Sequence, residues 1–353
     1  MVETLIDRFG DGAVLMMAGA VVGVLFGVAA QHSRFCLRAA TVELSEGQVG
    51  PRLSIWFLAF SAAVLCVQGA ISVGILDVSE ARQLAATGSL SGAVIGGLLF
   101  GVGMILARGC ASRLLVLSAT GNLRAILTGL VLTLVAQAAL RGVLAPLREG
   151  LAGLWLIDGG AARSLLAQLG LSSTAAAICA AIALILATFL AVASRLPVTR
   201  MIAAGCVGVA VGLGWIFTYT IAQTSFEVVA VSSITFTGPS TDTLMGLVNA
   251  TRLPLSFGVG LVPGVFAGAA LMALTSGEAR IERFGPDTPM ERYLIGAVLM
   301  GFGSMLAGGC AVGAGLSGGS IFAVTAWVAL LFMWVGAMMT HRLLHLRAVV
   351  TPA

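Results

Sequence analysis

IGGLLFGVGMILARGCA at 95–111 and IGAVLMGFGSMLAGGCA at 295–311 are two versions of one motif, offset by 200 residues. Ten of the seventeen positions are identical, Cys110 and Cys310 among them. In an apolar chain such a repeat points to a membrane protein built from two related halves around a pore or transport site. The background is apolar throughout: 59% of the 353 residues are hydrophobic, 10% are charged, and the mean hydropathy is +1.05. No aqueous domain can hide that much apolar surface within itself. The chain reads as an all-α integral membrane protein, a single transmembrane domain over 1–353, and its 46 glycines suit closely packed helices in lipid.

Apolar runs near 13–31, 54–76, 89–107, 123–140, 175–194, 201–222, 253–275, 293–307 and 321–340 predict nine crossings, most of them near the ~17–25 residues a bilayer requires. The runs ending at Ala107 and Leu306 are short and pass into a Gly-Cys turn, the pattern of a broken or re-entrant helix. The repeat sets spans one to four against spans six to nine. Five crossings then separate equivalent helices, and an odd number inverts them, so the halves form an inverted-topology repeat. The division is a first half at 13–142, a connector with the fifth span at 143–199, a second half at 200–340 and a tail at 341–353. Thirteen arginines fall on the side of loops 32–53, 108–122, 195–200, 276–292 and the tail, and six on the other. That asymmetry places the C-terminus in the cytoplasm and the N-terminus outside, in a bacterial inner membrane. Segment 141–174 is predicted as an external connector with a short interfacial helix around Trp155, and 276–292 as a solvated cytoplasmic loop.

Several function classes fall away. All nineteen basic residues are arginine, a matter of base composition with anion recognition as a minor addition. No basic run interleaves with aromatics, so nucleic acid is not a partner. The six cysteines form no CxxC pair and no Cys/His metal spacing, which argues against zinc, thioredoxin-like chemistry and any bound metal, and no motif implies a cofactor. The N-terminal MVETLIDRFGDG lacks a basic n-region and reads as an exposed tail.

Four polar segments stand out: QHSRFCLRA (31–39), LARGCASRLLVLSATGNL (106–123), SSITFTGPSTDTL (232–244) and LAGGCAVGAGLSGGS (306–320). Gly109 and Gly309, beside the repeated cysteines, permit positive φ and leave amides uncovered. A helix starting after such a turn aims free N–H groups and its positive dipole end at whatever lies in the middle. Thr237 supplies a hydroxyl, and Gly238 with Pro239 a tight turn into a helix. A buried thiol is a weak donor on a soft atom, suited to an anion that ends in sulfur. Cys36, Cys110 and Cys310 therefore form a candidate relay, whereas Cys66, Cys179 and Cys206 lie within plain apolar spans and read as packing residues. Arg34, Arg38, Arg108 and Arg113 divide between snorkelling and drawing anions to the mouth. His341 and His345 are expected to face solvent, as are Glu43 and Glu46. The contrast of Arg113 with Gly313 at equivalent positions marks where substrate choice is expected to lie.

At SRFC (33–36), GCASR (109–113), GNL (121–123), FTGP (236–239), ERYLIGAVLMGFG (291–303) and GGCAVGAGLSG (308–318) the chain resembles the YeeE/YedE family of sulfur-compound transporters. The resemblance implies an hourglass-shaped helical bundle and uptake of thiosulfate. It also implies passage by S–H contacts at three cysteines, which map to Cys36, Cys110 and Cys310, and a cytoplasmic sulfur-carrier protein as partner. The expected function is thus a transporter, not an enzyme, with another sulfur or selenium oxyanion as the alternative substrate. Two other readings stay open: a membrane thiol protein using Cys110 and Cys310 as a redox pair, and a plain anion channel.

Overall fold

The computed structural model describes residues 2–249, 254–284 and 290–350. Arg252, the start of the run at 253–275, part of the loop 276–292 and the end of the tail lie outside the described residues. The described chain is almost wholly helical, and nine of its spans are long and apolar enough to cross a membrane. The principal helices are α1 (Asp11–Ser33), α2 (Leu37–Ser45), α3 (Pro51–Ser72), α4 (Leu90–Leu106), α5 (Ala111–Ala119) and α6 (Leu123–Arg141). After α7 (Ser173–Ala193) come α8 (Val198–Thr224), α9 (Thr237–Asn249), α10 (Phe257–Thr275) and α11 (Met290–Leu306). A π-wound helix (Ala311–Gly318) and α12 (Val324–Val350) complete the series. Three spans are bent, each as a long helix running through a short break into a short one: α1 into α2, α4 into α5, and α11 into the π-wound helix.

Helix starts follow from local chemistry. The Ser89, Asn122, Ser172 and Ser256 side chains accept hydrogen bonds from the backbone N–H groups of Gly92, Ala125, Ala175 and Val259, capping α4, α6, α7 and α10. Pro51 opens α3, and Glu43 caps it from outside by accepting from the Leu53 N–H at 2.7 Å. Glu43 is therefore buried, contrary to its expected solvation: the four unpaired amides of α3 need an acceptor, and a carboxylate supplies it. Glu46 lies 3.2 Å from the half-buried His341.

The helices are held together where glycines let backbones touch. A Cβ on Gly96 would sit 2.6 Å from the Gly303 carbonyl, and one on Gly303 would sit 2.8 Å from the Gly96 carbonyl. A Cβ on Gly103 would meet the Gly296 carbonyl at 2.6 Å, and one on Gly296 the Gly103 carbonyl at 2.7 Å. These four glycines belong to the opening repeat. They pair its early residues with the late residues of the other copy, so α4 and α11 run antiparallel, and the contact is self-complementary. Between α1 and α10 the register is parallel: Gly19, Gly23 and Gly27 of α1 fit against successive carbonyls of α10, and Gly260, Gly264 and Gly268 of α10 fit against α1. Exchanging α1 with α8, α3 with α10, α4 with α11 and α6 with α12 maps the main helix pairs onto each other: α1–α10 onto α8–α3, and α4–α12 onto α11–α6. That is the inverted repeat. α7, the connecting span, packs chiefly on α3 and has no equivalent in the exchange.

Between α6 and α7 the short helical pieces are Ala145–Ala152, Gly160–Arg163 and Leu165–Leu169, and Trp155 lies in none of them. Its carbonyl accepts the Leu90 N–H at 2.9 Å, beside a two-residue antiparallel ladder of β1 (Gly88–Ser89) and β2 (Leu156–Ile157). The first of these pieces ends early because Gly153 follows it and the chain is then drawn into pairing at the α4 start. Buried Arg163 ties the same region together, donating to the Ala86 carbonyl at 2.6 Å and to Thr325 Oγ1 at 2.7 Å.

Gly260→Ala is expected to lose folded protein in size-exclusion and thermal-melt measurements, because its Cβ would fall 1.9 Å from the Met16 carbonyl. The cost exceeds the ~1–3 kcal/mol of ordinary overpacking, since backbone must move. Gly205→Ala, with open space around its Cβ, is expected to raise the melting temperature slightly, by the ~0.5–1 kcal/mol helix preference of alanine.

Candidate functional site

Cys36, Cys110 and Cys310 occupy one position in one kind of turn. α1, α4 and α11 each end on a left-handed residue: Arg34 (φ 57°), Arg108 (φ 55°) and Gly308 (φ 78°). The N–H of the following residue reaches back to the helix, Phe35 to Ala30, Gly109 to Met104 and Gly309 to Ser304, at 3.1, 3.2 and 2.9 Å. This is the six-to-one closure of a Schellman turn. The next residue is the cysteine, in extended conformation, and a short helix starts directly after it. Arg-Phe-Cys, Arg-Gly-Cys and Gly-Gly-Cys are thus the same device.

The sequence expectation for the glycines needs correcting. Positive φ falls on Arg108 and Gly308, not on Gly109 and Gly309. Gly309 is needed for space, because a Cβ there would come 2.9 Å from the Ala314 nitrogen, while Gly109 has looser contact with Leu114. A left-handed arginine costs about 1–2 kcal/mol that glycine avoids, so Arg34 and Arg108 keep their side chains against a local penalty.

Each cysteine is the N-cap residue of its short helix. Cys310 Sγ accepts the Gly313 N–H at 3.5 Å, whereas Cys36 and Cys110 make no such cap hydrogen bond. Cys36 and Cys110 lie close enough to interact electrostatically, and Cys110 Sγ is 3.3 Å from Ser112 Oγ. Cys310 instead has Thr235 Oγ1 at 4.0 Å. Thr235 therefore stands to Cys310 as Cys36 stands to Cys110. Cys110 and Cys310 are both buried, and α5 packs against the π-wound helix. The first-half thiols thus lie beside each other.

Thr237 and Gly238 begin α9. The Thr237 hydroxyl is buried with no hydrogen-bond partner, and Gly238 has open space where a Cβ would go. Sequence reading passed over Thr235, although Phe236 follows it at 200 residues from Cys36, an offset that leads to this segment. Phe26 packs against both aromatic neighbours of the site, with ring centroids 6.5 Å from Phe35 and 5.2 Å from Phe236.

Arg113 and Gly313 differ for separate reasons. A Cβ on Gly313 would strike Thr235 Oγ1 at 2.3 Å. Arg113 turns toward the arginine-rich end, where its Nη1 donates to Gln31 Oε1 at 3.4 Å. There Glu278 accepts from Gln31 at 2.7 Å and from Arg34 at 2.9 Å. The Arg34 hydrogen bond holds the Glu278 carboxyl below the usual carboxylate range, with partial burial opposing it. A cavity of about 140 Å³ opens beside these groups. Among the described residues no cluster of His, Cys, Asp and Glu could hold a metal ion.

A model of the Sulphur transport family matches residues 32–339, which takes in all three cysteine turns. The chain belongs to that family. Among curated proteins it is similar to the thiosulfate transporter TsuA of Spirochaeta thermophila, 28% identical over 340 residues that cover 91% of this chain and 97% of the relative. It is likewise similar to the thiosulfate transporter TsuA of Escherichia coli, 25% identical over 354 positions that cover 94% and 96%. This sulphur-transport family member is therefore a multi-pass membrane protein matched along almost its whole length.

Gly313→Ala is expected to lower the melting temperature by displacing Thr235, at a cost of roughly 1–3 kcal/mol. Adding Thr235→Gly removes the clash and is expected to restore part of the loss in the same melt.

Proposed function

We propose that this protein takes up a small sulfur-containing anion, thiosulfate first, along a path lined by Cys36, Cys110 and Cys310 and by the N-termini of the short helices behind them. The observation that carries the reading is the threefold recurrence of one turn, which sets a cysteine at the N-cap of a short helix at each place. Amide groups there favour negative charge, and the thiol matches a terminal sulfur. Each contact is weak, so the ion is released as readily as it is held. The names of the two relatives support thiosulfate as the substrate.

The path lies between a first half at 13–142 and a second half at 200–340, joined by 143–199. The arginine asymmetry supports a bacterial inner membrane with the C-terminus in the cytoplasm and the N-terminus outside. Delivery is then inward, toward a cytoplasmic sulfur-carrier protein. The protein carries out transport without catalysis. Gly109, Gly309 and Gly238 shape the backbone, Thr237 offers a free hydroxyl near the site, and Arg113 governs the exit more than the centre. Another sulfur or selenium oxyanion of similar size is the alternative substrate.

The test is growth of a sulfur-auxotrophic host that lacks its own thiosulfate uptake, with thiosulfate as the sole sulfur source. The unmodified chain is expected to restore growth. Cys36→Ala, Cys110→Ala and Cys310→Ala should each reduce initial uptake about fivefold to tenfold or more, the scale of one lost hydrogen bond in a dry site, while Cys179→Ala leaves it unchanged. Normal uptake in all three variants would leave only a plain anion channel.

A further inference from the structure

The arginine-rich end holds an arrangement that the thiol path does not use. Glu278 is fixed by its backbone: its N–H donates to the Ala273 carbonyl at 2.8 Å, in a turn that closes α10 with Gly277 at φ 69°. Only its side chain reaches across, and each carboxylate oxygen meets its own donor, Oε1 taking Arg34 Nη2 at 2.9 Å and Oε2 taking Gln31 Nε2 at 2.7 Å. The two donors sit three residues apart at the end of α1 and form a two-point cradle for an oxyanion. Arg113 holds the Gln31 carbonyl oxygen from behind, so the amide must present its NH2 group to the cradle. Arg200 and His32 line the adjoining cavity. Arg34 and Arg113 act on the one carboxylate and Arg200 lines the cavity beside it, so the cradle is left with excess positive charge.

We infer that Gln31 and Arg34, with Gln31 oriented by Arg113, form a second anion site for a small divalent oxyanion at this mouth, and that Glu278 is its built-in competitor. The inference rests on the transport reading, with this mouth as the exit. Arg113 lies within electrostatic range of both Cys36 and Glu278, so it joins the thiol pair to the cradle. An ion leaving the thiols meets a site that a single negative charge already fills. A second charge on the ion favours exchange, and Glu278 then withdraws by rotating its side chain while its backbone stays bonded. The Arg34–Glu278 pair is exposed enough, at 56% and 38%, to be weakly held. The carboxylate would return once the ion departs and would block re-entry from that side.

The test is calorimetric titration of the purified full chain with sulfate, whose hard oxygens report on the cradle and not on the thiols. In nanodiscs of zwitterionic lipid, Glu278→Gln is expected to bind sulfate about tenfold more tightly than the unmodified chain. Glu278→Asp, which keeps the charge but shortens the reach, should fall between the two, and adding Arg34→Gln to Glu278→Gln should remove the gain. Equal sulfate affinity in the unmodified chain and Glu278→Gln, with thermal melts matched, would overturn the site. Loss of the gain when phosphatidylglycerol is included would assign the cradle to lipid headgroups and overturn the free-ion assignment. Thiosulfate uptake by the unmodified chain is measured in parallel: no uptake with tighter sulfate binding in the variant rejects the transport reading alone, and normal uptake with no change in binding rejects the mouth site alone.

Discussion

The antiparallel contact of α4 with α11 is the constraint on which the rest of the structure depends. Lipid offers no hydrophobic drive for helices to associate, so packing must come from close fit. Gly96, Gly103, Gly296 and Gly303 let the two backbones approach until a single Cβ would strike a carbonyl. Because each copy of the repeat supplies equivalent glycines, the contact is its own mirror under exchange of the halves. Once it forms, the turns at the ends of these helices are carried into a common interior, and α5 meets the π-wound helix.

Those turns convert a packing motif into a site. A Schellman closure stops a helix without leaving its last carbonyls unpaired, and an extended residue then opens the next helix. Where that residue is cysteine, the thiol stands at the start of a short helix with no charged group required. The fourth segment uses different chemistry: the chain runs without helix from 225 to 236, and Thr235 meets Cys310 where a thiol meets Cys110 in the first half. Two halves of one ancestry therefore offer unlike surfaces, sulfur to sulfur in one and hydroxyl to sulfur in the other. Gly313 is the packing consequence of that hydroxyl, and Arg113 fills the equivalent place because no Thr235 stands opposite it.

Much of this was legible in the sequence. The span count, the inverted repeat and the cysteine turns follow from apolar run lengths, an offset of 200 residues and Gly-Cys punctuation, all of them local or periodic signals. Glu43 was misread because nothing local shows that a carboxylate in one short helix will accept the Leu53 N–H, ten residues on, in the first turn of the next helix. Trp155 was misplaced because the two-residue ladder that holds it depends on a strand more than sixty residues away. The left-handed position was assigned to glycines beside the cysteines because glycine is the usual occupant, yet two of the three turns place arginine there.

The sequence alone determined that this chain is a helical membrane protein of two inverted halves, since hydropathy and repetition are properties of the chain itself. It also determined which cysteines sit in turns and which sit in plain helices. Only the tertiary structure decided which groups meet: Cys36 with Cys110, Thr235 with Cys310, and Arg34 and Gln31 with Glu278. The last of these pairs lies 244 residues apart in the chain. The reason is physical: a side chain's partner is fixed by which backbones approach, and that approach is set by the facing glycines of helices distant in sequence.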